Sequence, residues 1–322
     1  MIRLGLIGCG EHAEGGHAVP LARYKASHPD EIELTAVCDL KLEKARTFCS
    51  KYGFLNAYSD SEEMFARHEL DGCVAVVPVE KISTVGISLL EKKIPCVVEK
   101  PLSASAEELR QLIDASQSTG TPHMVSVNRR FMPLLNRAID WSRSVGTLRY
   151  VRSILTRHAR SEHDFLWTTA VHAVDALRHI AGEVSQANIR AINGTRRTDW
   201  YAIDVQFANG VLGRIDVLPT AGVREETYEL LGDNFRAIVT CPFGPRRGWC
   251  SFRDDRLVIE EPASGPEDVV NGCYDEASEF IRAVSNKRRP HPSIEDVSQS
   301  VQLCLEMAKS VELTKNLAPA KS

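Results

Sequence analysis

A lysine at the end of an apolar segment is the first candidate for chemistry. The segment PCVVEKP, residues 95–101, places Glu99 and Lys100 after an apolar run that Pro101 ends. A lysine at such a point can donate a hydrogen bond to a reacting oxygen, and partial burial would make its proton easier to move. The alternative is a solvated charge, which is the usual state of lysine.

A histidine and an aspartate on one predicted helix form the second candidate. In TTAVHAVDALRHIAG, residues 168–182, His172 and Asp175 are three residues apart. This spacing places them on one helix face. Histidine exchanges protons near neutral pH, and a neighbouring carboxylate can orient it. Alternatively, His172 is a packing or surface residue.

An alternation of strands and helices would position Lys100. Short apolar runs occur at residues 2–7, 33–38, 73–77 and 95–98, and helical periodicity separates them. Strands that are buried on both faces appear as such runs, so the pattern predicts a doubly wound parallel sheet. Because ligands bind at the carboxyl ends of strands in such sheets, Lys100 is predicted to lie at a ligand site.

A glycine-rich turn, GCGEHA, follows the first predicted strand. Its first glycine permits a tight turn, its second lets backbone N–H groups approach a pyrophosphate, and its alanine lets helix and strand pack closely. The position between a strand and a helix strengthens a pattern that is weak alone. The residues predicted to contact a dinucleotide here are Gly8, Gly10, Glu11, His12 and Ala13.

An acidic residue ends the second predicted strand. Asp39 lies 26 residues after Ala13, beyond the roughly 20 of a short fingerprint, and a longer first helix or loop would account for the difference. Its carboxylate can accept hydrogen bonds from the adenosine ribose and would repel a 2′-phosphate, which favours NAD over NADP. Lys41, Lys44 and Arg46 would soften this preference and leave NADP open. Alternatively, Asp39 caps the next helix.

The length of 322 residues and the change in pattern along the chain indicate two domains. From residue 149 onward, strand-like segments follow one another with short turns, and helices near 273–286 and 294–313 close the chain. We predict a Rossmann domain over residues 1–121. Residues 122–322 would form a substrate-binding and oligomerisation α/β domain with a large, mainly antiparallel open sheet, whose last helices could pack back on the first domain.

Composition argues against several kinds of partner. A net charge of −4 with 25% charged residues gives no basic surface for nucleic acid, and no apolar run approaches the roughly 18 residues of a membrane span. The nine cysteines are scattered without a CxxC pair, which favours reduced thiols and a cytoplasmic location. The histidines near His172 match no metal-ligand spacing, so we expect no metal.

Five motifs in one order carry a family resemblance. GCGEHA, Cys38-Asp39, Glu99-Lys100-Pro101, VNRRFMP at 127–133 and HAVDALRHIAG at 172–182 together resemble the glucose-fructose oxidoreductase/inositol dehydrogenase (Gfo/Idh/MocA) family over essentially the whole chain. The resemblance implies an NAD(P)-dependent enzyme that transfers a hydride between nicotinamide and a hydroxyl or carbonyl carbon of a sugar, polyol or related small molecule. It also implies a homodimer or homotetramer.

The resemblance further implies residue roles. Lys100 corresponds to the family's catalytic lysine and His172 to its general acid/base, and Asp175 of the same motif is the third predicted catalytic residue. Further cofactor contacts are placed at Pro78, Glu99, Lys100 and Asn128. Substrate contacts are placed at Lys100, Asn128, Arg129, His158, Asp164, Trp167, Thr168, Thr169 and His172.

The sequence departs from the family pattern at two positions. Members typically have aspartate four residues before the histidine, where this chain has Thr168, and many have histidine where it has Ile82. The first change removes a carboxylate that helps to hold substrate, so the substrate should differ from that of typical inositol dehydrogenases. Asp164 could replace that carboxylate from the preceding loop.

Two other functions remain open on the same fold. One is a glycosidase-like enzyme that retains NAD and oxidises its substrate transiently. The other is a non-catalytic NAD-binding sensor or regulator, since fold does not fix function. Because a sensor should have lost Lys100 or His172, their presence favours the oxidoreductase.

Overall fold

The computed structural model describes residues 1–192 and 198–317. The chain divides into two compact units, the first formed by Met1–Asn128 and Gly272–Ser298, and the second by Arg129–Asn271 and the chain from Gln299 onward. Among the described residues, no helix combines the length and apolarity needed to cross a bilayer.

The described strands form two sheets. Their bounds are β1 (Ile2–Ile7), β2 (Ile32–Cys38), β3 (Asn56–Tyr58), β4 (Gly72–Ala75), β5 (Cys96–Glu99), β6 (His123–Ser126), β7 (Leu148–Thr156), β8 (Val184–Ile192), β9 (Trp200–Phe207), β10 (Leu212–Leu218), β11 (Glu225–Gly232), β12 (Phe235–Thr240), β13 (Gly248–Arg253) and β14 (Arg256–Pro262).

The described helices vary from single turns to long segments. Their bounds are α1 (Glu11–Ala13), a π-helical turn (Glu14–Ala18), α2 (Val19–Ser27), α3 (Leu42–Tyr52), α4 (Ser61–Arg67), α5 (Val79–Glu91), α6 (Ala106–Thr119), a 3₁₀ turn (Asn128–Phe131), α7 (Pro133–Val145), α8 (Phe165–Thr168), α9 (Val171–Ala181), α10 (Glu267–Val270), α11 (Cys273–Ser285) and α12 (Ile294–Leu317).

The first unit contains the predicted parallel sheet. Its six strands have the order β3-β2-β1-β4-β5-β6 and pair in parallel throughout. All residues of β4, β5 and β6 are buried, which explains their short apolar sequences. Strand β6 extends this sheet past residue 121, where the sequence suggested a boundary.

Local sequence signals begin and end the helices of this unit. The Ser105 side chain accepts a hydrogen bond from the Glu108 N–H at 3.2 Å, and the Glu108 carboxylate accepts one from the Ala104 N–H at 3.0 Å. This reciprocal arrangement satisfies free N–H groups at the start of α6. Gly120, at φ 62°, ends the same helix in the left-handed conformation that glycine adopts without strain.

The first helical segment is long and irregular. Helix α1, the π-helical turn and α2 follow one another without a break from residue 11 to residue 27. A π-turn accommodates one more residue than a regular α-helical turn. The length of this segment accounts for the long spacing between Ala13 and Asp39.

The second unit contains the predicted mainly antiparallel sheet. Its eight strands have the order β14-β13-β12-β11-β7-β10-β9-β8. Only β7 and β10 pair in parallel, whereas every other pairing is antiparallel. Helix α7 packs against β11, β12 and β13, and α9 packs against β7 and β10.

The sheet face opposite these helices carries a row of ion pairs. Asp204 contacts Arg190 at 2.9 Å and Arg214 at 2.8 Å, and Asp216 contacts Arg214 at 2.9 Å and Arg152 at 2.7 Å. The strand register places these side chains on one face across β8, β9, β10 and β7. The second unit therefore presents one helix-covered and one charged sheet face.

Candidate functional site

The turn after β1 requires a glycine. Gly8 has φ 95°, and a Cβ atom there would lie 1.9 Å from the carbonyl oxygen of Val76. Its N–H donates to the carbonyl of Cys38 at 2.8 Å. Any side chain at this position would collide with the backbone that follows β4, so the chain can turn tightly only with glycine here.

The next glycine has open space above it. Gly10 is exposed, and a Cβ atom there would meet no described heavy atom within 4 Å. Ala13, by contrast, is fully buried against the unit. Packing within the chain therefore does not require glycine at position 10. A ligand that approaches the start of the helix closely would require it, because a side chain there would occupy the same space. Glu11 and His12 are both exposed beside it.

Asp39 lies directly after β2 and is anchored by backbone groups. Its Oδ2 atom accepts from the Cys9 N–H at 2.9 Å, and its Oδ1 atom accepts from the Lys41 N–H at 2.8 Å. The turn with Gly8 and the Asp39 carboxylate therefore meet at the carboxyl ends of β1 and β2. Pro78 lies after β4, where it precedes α5 and is exposed.

Two histidines surround the buried Glu99 carboxylate. The Oε1 atom of Glu99 lies 2.6 Å from Nε2 of His17 and 3.0 Å from Nε2 of His12. Although burial raises its pKa, the two imidazoles hold the pKa of Glu99 well below its usual range. His12, His17 and Glu99 each offer one atom that could bind a metal ion, and these three atoms lie within 4.8 Å of one another. His12 therefore contacts Glu99, and His17 is a neighbour that the sequence did not indicate.

Lys100 follows β5 and is half-buried. Two residues later, Leu102 is fully buried with φ 70°, and its N–H donates to the Glu99 carbonyl at 3.2 Å. A left-handed leucine costs on the order of 1–3 kcal/mol and persists only where surrounding structure fixes it. The turn that carries Lys100 is thus tightly constrained. Asn128, half-buried, begins the 3₁₀ turn after β6.

In the second unit, His172 is a buried residue in the first turn of α9, with 8% of its surface exposed. The preceding helix α8 begins after Asp164, whose carbonyl accepts from the Thr168 hydroxyl at 2.9 Å. Trp167 and Thr169 are half-buried on either side of Thr168, whereas the remaining predicted substrate residue of this region, His158, is exposed in the loop after β7.

Asp175 is buried and binds groups other than the predicted histidine. Its two oxygen atoms accept from the guanidinium of Arg130, both at 2.8 Å, and Oδ1 also accepts from the Ser300 hydroxyl at 2.8 Å. These contacts anchor α9 to the chain before α7 and to α12. Asp175 can therefore position the helix that carries His172.

A second buried carboxylate, that of Glu226, binds two arginines of this unit. Glu226 accepts from Arg129 at 3.0 and 2.7 Å, from Arg157 at 2.6 Å and from the Tyr228 hydroxyl at 3.1 Å. Burial raises its pKa, but the guanidiniums of Arg129 and Arg157 outweigh that effect and hold the pKa at about 2. The predicted substrate residue Arg129 is thus part of a buried ion-pair network.

Comparison with known proteins finds a family model that matches the first part of the chain. Residues 2–128 match the Gfo/Idh/MocA family model, described as an oxidoreductase family with an NAD-binding Rossmann fold. The chain is 25% identical over 298 residues to 4-carboxy-2-hydroxymuconate-6-semialdehyde dehydrogenase of Sphingobium sp. strain SYK-6. This alignment covers 88% of this chain and 92% of that protein. The chain is 22% identical over 276 residues to inositol 2-dehydrogenase of Corynebacterium glutamicum, which covers 81% and 79%.

A solved structure extends the likeness to both units. A Gfo/Idh/MocA family oxidoreductase from Vibrio cholerae matches with a TM-score of 0.84 and 20% identity, over 98% of this chain and 100% of that chain. At this identity the match concerns the fold. The predicted family resemblance and fold class are confirmed.

Proposed function

We propose that this protein is a nicotinamide-dependent dehydrogenase or reductase, because residues 2–128 match the model of the Gfo/Idh/MocA oxidoreductase family. Its proposed substrate is a sugar, polyol or related small molecule with a CH–OH or carbonyl group. Relatives named as dehydrogenases of inositol and of a carboxylated semialdehyde support this substrate range.

The turn at Gly8 and its anchored neighbour Asp39 carry the proposal. Gly8 holds the chain close to the backbone after β4, Gly10 leaves open space at the helix start, and Asp39 offers carboxylate oxygens at the end of β2. This donor and acceptor set fits a pyrophosphate and an adenosine ribose. When bound there, the nicotinamide cofactor would supply or accept the hydride.

Lys100 and His172 are the proposed catalytic residues. Lys100 would donate a hydrogen bond to the substrate oxygen, on which charge develops, and His172 would take or return the proton of that oxygen. Asp175 would act as a positioning residue through its anchoring of α9. With Thr168 in place of the usual carboxylate, the substrate would be held by other groups than in typical inositol dehydrogenases.

The cofactor preference tests the proposed dinucleotide site. We expect NADH to bind at least about tenfold more tightly than NADPH, because the Asp39 carboxylate accepts hydrogen bonds from the ribose and repels a 2′-phosphate. Asp39→Ser should narrow this difference. Fluorescence titration with both cofactors measures it, with the exposed Asp30→Ser as the charge-matched control. Tighter binding of NADPH to the wild type would contradict the prediction.

The charged sheet face of the second unit is the proposed assembly surface. We expect a dimer or tetramer in light scattering at micromolar concentration, because a face of an open sheet usually packs against another layer of protein. Ile154→Lys, at a half-buried position on this face, should shift the protein toward the monomer. Leu55→Lys, at an exposed position in the first unit, should not. A monomeric wild type would contradict this proposal.

A further inference from the structure

Three guanidinium groups of the second unit gather around one phenyl ring. The central guanidinium carbon of Arg224 lies 3.4 Å from the centroid of the Phe243 ring, that of Arg157 lies 5.4 Å away and that of Arg129 lies 5.6 Å away. Each can interact favourably with the ring face. The three cations nevertheless repel one another, so their convergence needs negative charge nearby.

Glu226 is the carboxylate that the structure places in contact with two of these three guanidinium groups, those of Arg129 and Arg157. Arg224, by contrast, has no carboxylate within 4 Å among the residues that the structure describes. Partial burial and the charge of Arg157 lower the pKa of Arg224, while Glu226 opposes the shift. An anion at this point would relieve the repulsion.

The backbone holds Arg224 in place. The Thr156 hydroxyl, at the end of β7, donates to the Val223 carbonyl at 2.8 Å and accepts from the Glu225 N–H at 3.1 Å. These bonds fix the residues on both sides of Arg224, and the Phe243 ring supports its guanidinium. Arg224 is an exposed residue, and its preorganised guanidinium lowers the entropy that binding would cost.

The same strand end leads to the proposed catalytic helix. Arg157 begins the loop that runs from β7 to α8, and Arg160 in that loop lies 5.5 Å from the ring centroid of Phe165, the first residue of α8. Helix α9 with His172 follows directly and packs on β7. Arg157 and the proposed acid/base residue His172 are therefore connected through β7 and the loop that follows it.

We propose that Arg224 binds a carboxylate group of the substrate, so that the enzyme acts on a hydroxy or oxo acid. Arg129 and Arg157 are positioning residues that are held by Glu226 and keep the surroundings positive. The planar guanidinium fork matches a carboxylate with two parallel hydrogen bonds, and one guanidinium without a carboxylate partner suits one such group. This inference rests on the proposed oxidoreductase function and specifies its substrate class.

Matched ligands in the presence of NAD⁺ test the proposal by thermal shift and calorimetry. The pairs are D-gluconate with D-glucitol, D-glucuronate with D-glucose, and succinate with 1,4-butanediol, and D-glucose 6-phosphate represents phosphate. A carboxylate should raise the unfolding midpoint where its neutral counterpart does not. Arg224→Gln should lower the affinity for that carboxylate at least about tenfold, and Arg224→Lys should restore part of it. Arg256→Gln, at an exposed position on β14, is the control.

The possible outcomes distinguish a failure of the Arg224 carboxylate site from a failure of the proposed oxidoreductase function. Equal responses to every acid and its neutral counterpart, a response to the phosphate alone, or unchanged carboxylate affinity in Arg224→Gln would each overturn it. In that case, NADH binding together with NAD⁺ reduction by a neutral polyol would leave the oxidoreductase proposal intact. Loss of NADH binding in the wild type would instead contradict the proposed function itself.

Discussion

Lys100→Met is expected to lower turnover by about a hundredfold or more, the scale of a positioned proton-transfer or charge-stabilising group. Methionine keeps the approximate length of the side chain but cannot donate a hydrogen bond to the substrate oxygen. Because the interaction strengthens as charge develops on that oxygen, its loss should affect the chemical step and spare the affinity for NAD.

His172→Ala should cause a loss of similar size. The double variant should be little worse than the more damaged single variant, because residues that act as one catalytic unit fail together. Single-turnover hydride transfer, followed by NADH absorbance with a substrate that reduces NAD⁺, measures both effects. Independent, multiplicative losses would indicate that the two residues act in separate steps.

Matched controls distinguish these effects from a general loss of structure. Lys81→Met and His163→Ala change the same residue types at exposed positions and should retain wild-type turnover. NADH titration of Lys100→Met and His172→Ala should give dissociation constants close to that of the wild type. If both variants turn over at the wild-type rate, the proposed catalytic pair is wrong.

The first sheet was largely predictable because burial on both faces leaves a strong sequence signal. The four predicted apolar runs correspond to β1, β2, β4 and β5. The strand-like segments predicted after residue 149 are RYVRSILTRHA, YAIDVQFA, GVLGRIDVL, ETYELLG and FRAIVTC, and they correspond to β7, β9, β10, β11 and β12. Strands β8, β13 and β14 were not predicted, and every residue of the edge strands β8 and β14 is exposed or half-buried. Such edge strands lack the regular alternation of apolar and polar residues that identifies a half-buried strand.

The surroundings of the proposed catalytic residues were less predictable because they form across long sequence separations. Asp175 follows His172 at helical spacing, but the groups that bind it are Arg130 and Ser300, which lie far from it in sequence. His17 reaches Glu99 across 82 positions in the same way. Sequence spacing identifies neighbours on one helix, whereas the partners of a buried charge depend on the tertiary fold.

The sequence around Glu226 does indicate that this residue needs a cationic partner. In the strand segment ETYELLG, Glu226 shares a face with Tyr228 and Leu230, and all three are buried. A carboxylate on the apolar face of a strand needs a cation, because an isolated buried charge is very costly. The pattern therefore predicts a buried arginine or lysine partner. It does not indicate which one, since Arg129 and Arg157 lie at the ends of other elements.

Removal of the Glu226 carboxylate should strongly destabilise the folded protein. We expect Glu226→Ala to lower the free energy of unfolding by about 3–5 kcal/mol, because it leaves the buried guanidiniums of Arg129 and Arg157 without their counter-charge. Urea unfolding followed by tryptophan fluorescence near neutral pH measures this change. Glu260→Gln, at an exposed position on β14, should have little effect.

The pH dependence of stability gives an independent test of the same ion-pair network. The pKa of Glu226 is about 2 in the folded protein, below its ordinary value of 4.5. The stability that it contributes is therefore fully present above pH 4.5 and is lost as the pH falls from about 4.5 toward 2. Glu226→Gln, which keeps the shape of the side chain, should be less stable than the wild type near neutral pH. The difference between the two proteins should shrink as the pH falls through this range. A difference that stays constant across the range would mean that the Glu226 carboxylate is not held ionised by Arg129 and Arg157.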